Sequence, residues 1–408
     1  MTQEQRNKYE VVIGLEVHAQ LLTKTKAYSS DVNAFGASPN THTSPVTLGH
    51  PGTLPVMNKK SIEYAIKLGI ALNCDIAEYQ YFARKNYFYP DLPKGYQITQ
   101  DKTPICTGGF IDLKSDKGPP KRIGITRIHM EEDAGKSIHD VDVYDTLVDL
   151  NRAGTPLLEI VTEPDMRDSQ EAYQYLSEIR KLVRYLEICD GNMEEGSLRC
   201  DANISVRLYG APELGTKVEV KNMNSIRNVQ KAIEFEIIRQ IDVLEEGGSL
   251  SQETRGFDAL NGSTISMRSK EAANDYRYFP EPDLQPIFVD QGQINLVKAE
   301  MPPLPDFLFQ KYVSELKLSD YDAQNLTEAK EIALYFEQVI EHTSNYKSAA
   351  NWMMGAVKSY LNENGVDISA FPLQPKAIAG IIEIIDSGQV SGSIASQKIF
   401  PEMIASGE

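Results

Sequence analysis

The sequence predicts an α+β protein: an antiparallel sheet with helices on one side, followed by an all-α domain. Three observations carry that reading. Several segments alternate apolar and polar residues with the period of a strand, each gathering its polar side chains on one face. Stretches of helical periodicity lie between them. After Met301-Pro302-Pro303-Leu304-Pro305 the strand-like segments stop and only helical periodicity remains. The expected division is a first domain over residues 1–295 and a helical domain over residues 296–408.

The first strand is Tyr9 to Leu21. Val11, Ile13, Leu15, Val17, Ala19 and Leu21 form its apolar face, and Glu16, His18 and Gln20 lie on the other. A carboxylate and an imidazole two residues apart on one face suit shared metal coordination. Ser61 reads as the N-cap of a helix carrying Ile62, Ala65, Ile66 and Ile70. Between Tyr79 and Tyr89 six aromatics are interleaved with Arg84 and Lys85. With Asp91 just beyond, this reads either as packed aromatics or as a rigid wall holding a Lys and an Asp beside a substrate.

Ile123, Ile125, Arg127, His129, Glu131 and Asp133 fall on one face of a second strand. Glu159 interrupts the apolar run Leu157 to Val161, and a carboxylate inside a buried strand is costly unless paired or metal-bound. Asp168 or Ser169 caps a helix running to about Ile188. From Ser197 to Leu208, Arg199, Asp201, Asn203, Ser205 and Arg207 alternate with apolar residues, and Glu219 stands between Lys217 and Lys221 in another alternating run. A helix from about Ser225 to Glu246 ends at Gly247-Gly248.

The economical assembly is a sheet whose apolar side packs on helices and whose polar side is an open, acid-lined concavity. Glu16, His18, Glu131, Glu159, Asp201 and Glu219 are expected to converge there as metal ligands, with Glu131, Glu159, Asp201 and Arg199 nearest the chemistry. Arg127, Lys217, Lys221, Arg268 and Arg277 are the candidate phosphate-binding cations. Acids for Mg²⁺ beside Arg and Lys for phosphates are what phosphoryl transfer from ATP requires. No P-loop, kinase glycine loop or dinucleotide fingerprint occurs, so a nucleotide site has to be of the open-sheet kind. No Ser-Lys or Cys-His nucleophile stands out, so glutamine cleavage would need a partner.

Composition narrows the class. At 408 residues, with 41% hydrophobic and 24% charged, the chain is an ordinary soluble globular protein with room for two or three domains. Scattered Cys74, Cys106, Cys189 and Cys200 form neither a disulfide framework nor a zinc pattern, which fits a reducing cytoplasm. No signal peptide or membrane span is evident. A net charge of −17 argues against a general nucleic-acid glove.

The run Val12 to Leu21 resembles the B subunits of tRNA-dependent amidotransferases. Phe82 to Asp91, His129 to Lys136, Leu198 to Ile204, Glu219 to Asn224 and Arg277 to Leu284 match further motifs of that family in the same order. The resemblance implies a cradle related to the glutamine synthetase fold, then a helical domain. It implies ATP- and Mg²⁺-dependent phosphorylation of the side-chain carboxylate of Glu-tRNA(Gln) or Asp-tRNA(Asn), and amidation by ammonia. The ammonia would come from an amidase-type A subunit, a small C subunit completing a heterotrimer, along a path lined by Lys85, Tyr87, Tyr89 and Asp91. Two departures stand out. Where many members place zinc-binding cysteines, this chain has Ser29, Asp31, Ser44 and Thr47, so no structural zinc is expected. Members usually continue into a tRNA-binding tail domain, so a shortened copy with weakened tRNA affinity is expected. The competing readings are a non-catalytic tRNA-binding scaffold and a free-standing ATP-dependent carboxylate–amine ligase.

Overall fold

The computed structural model describes residues 2–114, 119–269 and 275–407, the side chains of Arg268 and Ser269 excepted. The chain divides into two compact units, Met1–Met301 and Pro302–Glu408.

The first unit is built on a sheet whose principal strands are β1 (Tyr9–Gln20), β2 (Ala83–Asn86), β3 (Tyr96–Thr99), β4 (Lys121–Glu132), β5 (Pro156–Thr162), β6 (Leu198–Leu208), β7 (Val218–Lys221), β8 (Glu253–Asp258), β9 (Ser263–Ser269) and β10 (Phe279–Pro280). Their spatial order is β9-β8-β7-β6-β1-β5-β4-β3-β2-β10, which puts β1 at the centre. Three helices belong to this unit's core: α1 (Lys59–Ala71), α2 (Ser169–Tyr185) and α3 (Ile226–Glu245). α3 packs on β6, and α2 packs on α3 and β1. Leu15, Val17, Ala19, Leu198, Cys200, Ala202 and Ile204 are buried on that side, so the apolar faces meet helices as the alternation predicts.

Among the described residues the sheet is antiparallel except at one pair. β7 and β8 run parallel because α3 crosses over between them, a return that no tight turn makes. A second departure changes a face. β4 carries an extra residue opposite Val161/Thr162, so Val161 pairs with Arg127 but Thr162 with Ile125. A bulge reverses which side the following residues occupy. Ile123 and Ile125 therefore pack into the core and do not share the face of Arg127, His129 and Glu131 as simple alternation had them.

Caps mark the helix starts. Asp168 accepts from Glu171 N at α2 and Ser225 from Asn228 N at α3. α1 begins earlier than its sequence suggested: Asn58, not Ser61, is the cap, because its side chain accepts from Lys60 N while donating to Thr25 O.

Ser29, Asp31, Ser44 and Thr47 do come together. One carboxylate oxygen of Asp31 accepts from Ser44 N at 3.0 Å, Ser44 Oγ at 2.9 Å and Thr47 Oγ1, and Ser29 Oγ lies 3.3 Å from Thr47 Oγ1. The donor set is one carboxylate and three hydroxyls, with no thiolate. Burial pushes the Asp31 carboxyl up, but bonds from Thr47, Ser44 and Ser29 outweigh it and hold it below its ordinary value. Because the folded value is depressed, the stabilisation is present above the unfolded carboxyl value of about 3.9 and disappears as pH falls through the folded one. Asp31→Ala is expected to cost about 2 kcal/mol at neutral pH and nothing near the acid end, as read from urea unfolding at several pH values.

The second unit is helical. Pro305–Ser314, Asp320–Leu326, Lys330–Ile340 and Pro375–Asp386 surround the segment Tyr346–Asn364, which contains one π-turn at Met353–Val357. Its core holds Tyr312 against Phe336, ring centroids 5.0 Å apart, with Ala349, Ala350, Val357 and Ile378 buried. No helix among the described residues is long and apolar enough to cross a membrane.

Candidate active site

The polar face is assembled by register. Antiparallel pairing sets His18 opposite both Glu159 and Arg199, and Glu159 opposite His129, giving the row His129–Glu159–His18–Arg199 across four strands. Two residues along, Glu16 faces Asp201, and one strand further Asn203 faces Glu219 and Glu219 faces Thr254. These rows floor a cavity of about 720 Å³ lined by Glu16, His18, Glu131, Glu159, Asp201 and Glu219, with Lys85, Arg127 and Lys221 among its cations and Tyr276 and Tyr278 on its wall.

Within it are two triads whose ligand atoms lie within 4.8 Å of one another: His18, Glu131 and Glu159, and Glu16, Asp201 and Glu219. In the first, Glu159 Oε2 lies 3.4 Å from His18 Nε2 and 3.1 Å from His129 Nε2, and the two oxygens of Glu131 lie 3.8 and 3.7 Å from the same rings. All four side chains are largely buried. Burial pushes the Glu159 carboxyl up, and hydrogen bonds and charge from His129 and His18 reverse this and hold it well below the carboxylate range. Burial pushes the His129 ring down, and Glu131 and Glu159 bring it up to about 9. Arg127 Nε, 3.4 Å from His129 Nδ1, needs a lone pair there and pulls against that protonation.

In the second triad Lys221 Nζ is paired with Asp201 and lies 3.3 Å from Glu219. Glu16 accepts from Asn203 Nδ2 at 2.8 Å, and Glu219 from Thr254 Oγ1 at 2.7 Å. Asn203 Oδ1 is buried with no hydrogen-bond partner among the described residues.

The other expected residues separate. Arg199 ion-pairs with buried Asp133 at 2.9 Å, which also accepts from Gln20 at 2.7 Å. Lys85 reaches the cavity over the Tyr276 ring, 4.9 Å from its centroid. Tyr87 packs edge-on against Tyr276 and Tyr89, but Tyr89 is mostly exposed and Asp91 turns away to accept from Ser137 Oγ at 3.1 Å. Lys217 precedes β7 and is exposed, and Arg277 is exposed beside Asp275; neither lines the cavity. The side chain of Arg268 lies outside the described residues.

His129, Tyr276, Tyr278 and Thr254 are part of the site although sequence reading gave them no role. His129 had a signal, since it shares the strand face of Arg127 and Glu131. Tyr278 lies in the motif Arg277 to Leu284, whereas Tyr276 had no signal, because a distant strand places it: Asn86 Nδ2 donates to Tyr276 O at 3.1 Å and Arg277 O at 2.9 Å, and Arg84 grips Glu281 just beyond through Nε at 2.7 Å and Nη2 at 2.8 Å.

An open sheet that gathers two acidic triads with flanking cations is a donor set of the kind that can hold divalent ions beside phosphates. Residues 11–295 match the GatB/GatE catalytic domain and residues 334–408 the GatB domain. The B subunit of the aspartyl/glutamyl-tRNA(Asn/Gln) amidotransferase of Syntrophotalea carbinolica is 52% identical over 402 residues, 98% of this chain and 84% of the relative. The B subunits from Geobacter sulfurreducens (55% over 399 residues; 97% and 83%) and Thermoanaerobacter pseudethanolicus (51% over 401; 98% and 84%) are similar. The chain belongs to the B-subunit family of these amidotransferases.

Proposed function

We infer that the chain is the amidating subunit of an aspartyl/glutamyl-tRNA amidotransferase, working with partner A and C subunits on misacylated tRNA. The observation that carries the reading is the convergence of two acidic triads with Lys85, Arg127 and Lys221 in one cavity. The reaction has two stages. An oxygen of the side-chain carboxylate of Glu-tRNA(Gln) or Asp-tRNA(Asn) bonds to the γ-phosphorus of ATP as the bond to ADP breaks, giving an acyl phosphate. Ammonia then attacks the carbonyl carbon, inorganic phosphate leaves and the nitrogen loses a proton, giving the amide.

The donor sets suit Mg²⁺. His18, Glu131 and Glu159 would hold one cation, supported by His129, and Glu16, Asp201 and Glu219 a second. Such ions would offset charge on the phosphates. Arg127 and Lys221 supply fixed positive charge for phosphate oxygens, and Tyr276 and Tyr278 close one wall against water.

The assembled complex should amidate only with ATP, Mg²⁺ and charged tRNA. Product with free glutamate would favour a free-standing ligase, and none with any substrate a scaffold. In the same assay, Lys85→Ala is expected to reduce amidation driven by glutamine about tenfold more than amidation driven by ammonium, if Lys85 handles protons on the ammonia path. Equal loss with both donors would place Lys85 on phosphate instead.

A further inference from the structure

Among the described residues, Glu236 is a fully buried acid that the mechanism does not use. Glu236 sits on the inner face of α3, side-chain exposure 0%, between Ile233 and Ile237 in the core. Its carboxylate accepts from Arg239 Nη2 at 2.9 Å, Gln240 Nε2 at 3.3 Å and Thr264 Oγ1, and ion-pairs with Arg255, whose Nε lies 3.1 Å away. Arg255 also donates to Thr264 Oγ1 and Thr264 O, each at 2.8 Å, and to Glu253 Oε1 at 2.8 Å. Buried ion pairs of this kind add little net stability over apolar groups of the same shape, and the best-attested reason for one is to fix register.

Register is what β8 needs. It meets β7 through a four-residue parallel ladder, and its pairing with β9 breaks at a bulge between Thr254 and Arg255. At that bulge the strand presents Arg255 to α3 and Thr254 to the cavity, where Thr254 Oγ1 donates to Glu219 at 2.7 Å. A slip of one residue would exchange the two side chains. We propose that Glu236, gripping Arg255 and Thr264 behind the sheet, is a positioning residue that holds Thr254 against Glu219 and so sets the geometry of the Glu16–Asp201–Glu219 triad. This rests on reading that triad as a cation site.

The test replaces the clamp by apolar groups of similar volume, in a Glu236→Leu/Arg255→Met/Thr264→Val variant of the assembled complex. Manganese binding is followed by electron paramagnetic resonance with a non-hydrolysable ATP analogue present, beside unfolding by urea. The variant should unfold at or above the wild-type midpoint, yet bind manganese about tenfold more weakly, the scale of losing an outer-shell support. Glu236→Gln, which keeps the shape and loses the charge, should show a smaller loss and serves alone if the triple variant does not fold. Wild-type manganese affinity in whichever of these folds would overturn the proposal. Glu219→Ala separates the two readings. If it weakens manganese while the clamp variants do not, only the clamp falls; if it too is without effect, the triad reading falls and takes the clamp with it.

Discussion

Glu159→Ala is expected to lower ATP-dependent amidation by more than about 100-fold, beyond what loss of an outer-shell support costs a metal site. Glu159 stands within 3.4 Å of both buried imidazoles, so its removal leaves His18 and His129 with Glu131 alone. It also removes the charge that fixes which ring nitrogens face the cavity. The fold should survive, because the two rings can remain buried as neutral groups and the strand pairing of β5 needs only backbone. Activity and a thermal melt on the same preparation check this. Glu159→Gln sharpens it: an amide keeps the shape but not the charge, and should be impaired nearly as much. If Gln restores activity, Glu159 only orients the rings.

Lys221→Met should act in two directions. Lys221 is paired with Asp201 and Glu219, and although burial lowers its affinity for a proton, those two acids raise it further, so it is charged. A positive charge about 4 Å from a carboxylate is worth on the order of 4 kcal/mol at a near-surface dielectric, and partial exposure leaves a fraction of that. Removing it should therefore raise the affinity of the second triad for bare Mn²⁺ about tenfold. The same change removes a cation proposed to face the phosphates, so KM for ATP should rise by a similar factor. Calorimetry with Mn²⁺ alone and kinetics against ATP measure the two effects. Weaker Mn²⁺ binding would mean that Lys221 organises the triad and does not compete with a cation for it.

The polar face is legible in the sequence because its signal is local. Glu16 and His18, Asp201, and Glu219 each sit on strands whose alternation is complete within a few residues. What alternation does not supply is pairing between segments far apart in the chain. His129 becomes part of the site only because Glu159, thirty residues on, is set opposite it. The bulge beside Thr126 carries no sequence mark, and it moves Ile123 and Ile125 to the core. Lys217 and Lys221 look equivalent around Glu219, but the strand begins at Val218, so only Lys221 is carried into the cavity. Asp91 stands close to Lys85 in sequence and is drawn off by Ser137 from another segment. Alternation suggests a wholly antiparallel sheet, whereas the direction in which β8 returns depends on the crossover through α3, which periodicity does not encode.

Divalent cations on this face, beside the phosphates of ATP, are what the proposed reaction requires. Crystals of the complex grown with Mn²⁺ and a non-hydrolysable ATP analogue, and measured at the manganese edge, test it most directly. Two anomalous peaks are expected, one among His18, Glu131 and Glu159 and one among Glu16, Asp201 and Glu219, with the triphosphate toward Arg127 and Lys221. A nucleotide bound elsewhere, or bound here with neither peak present, would contradict it.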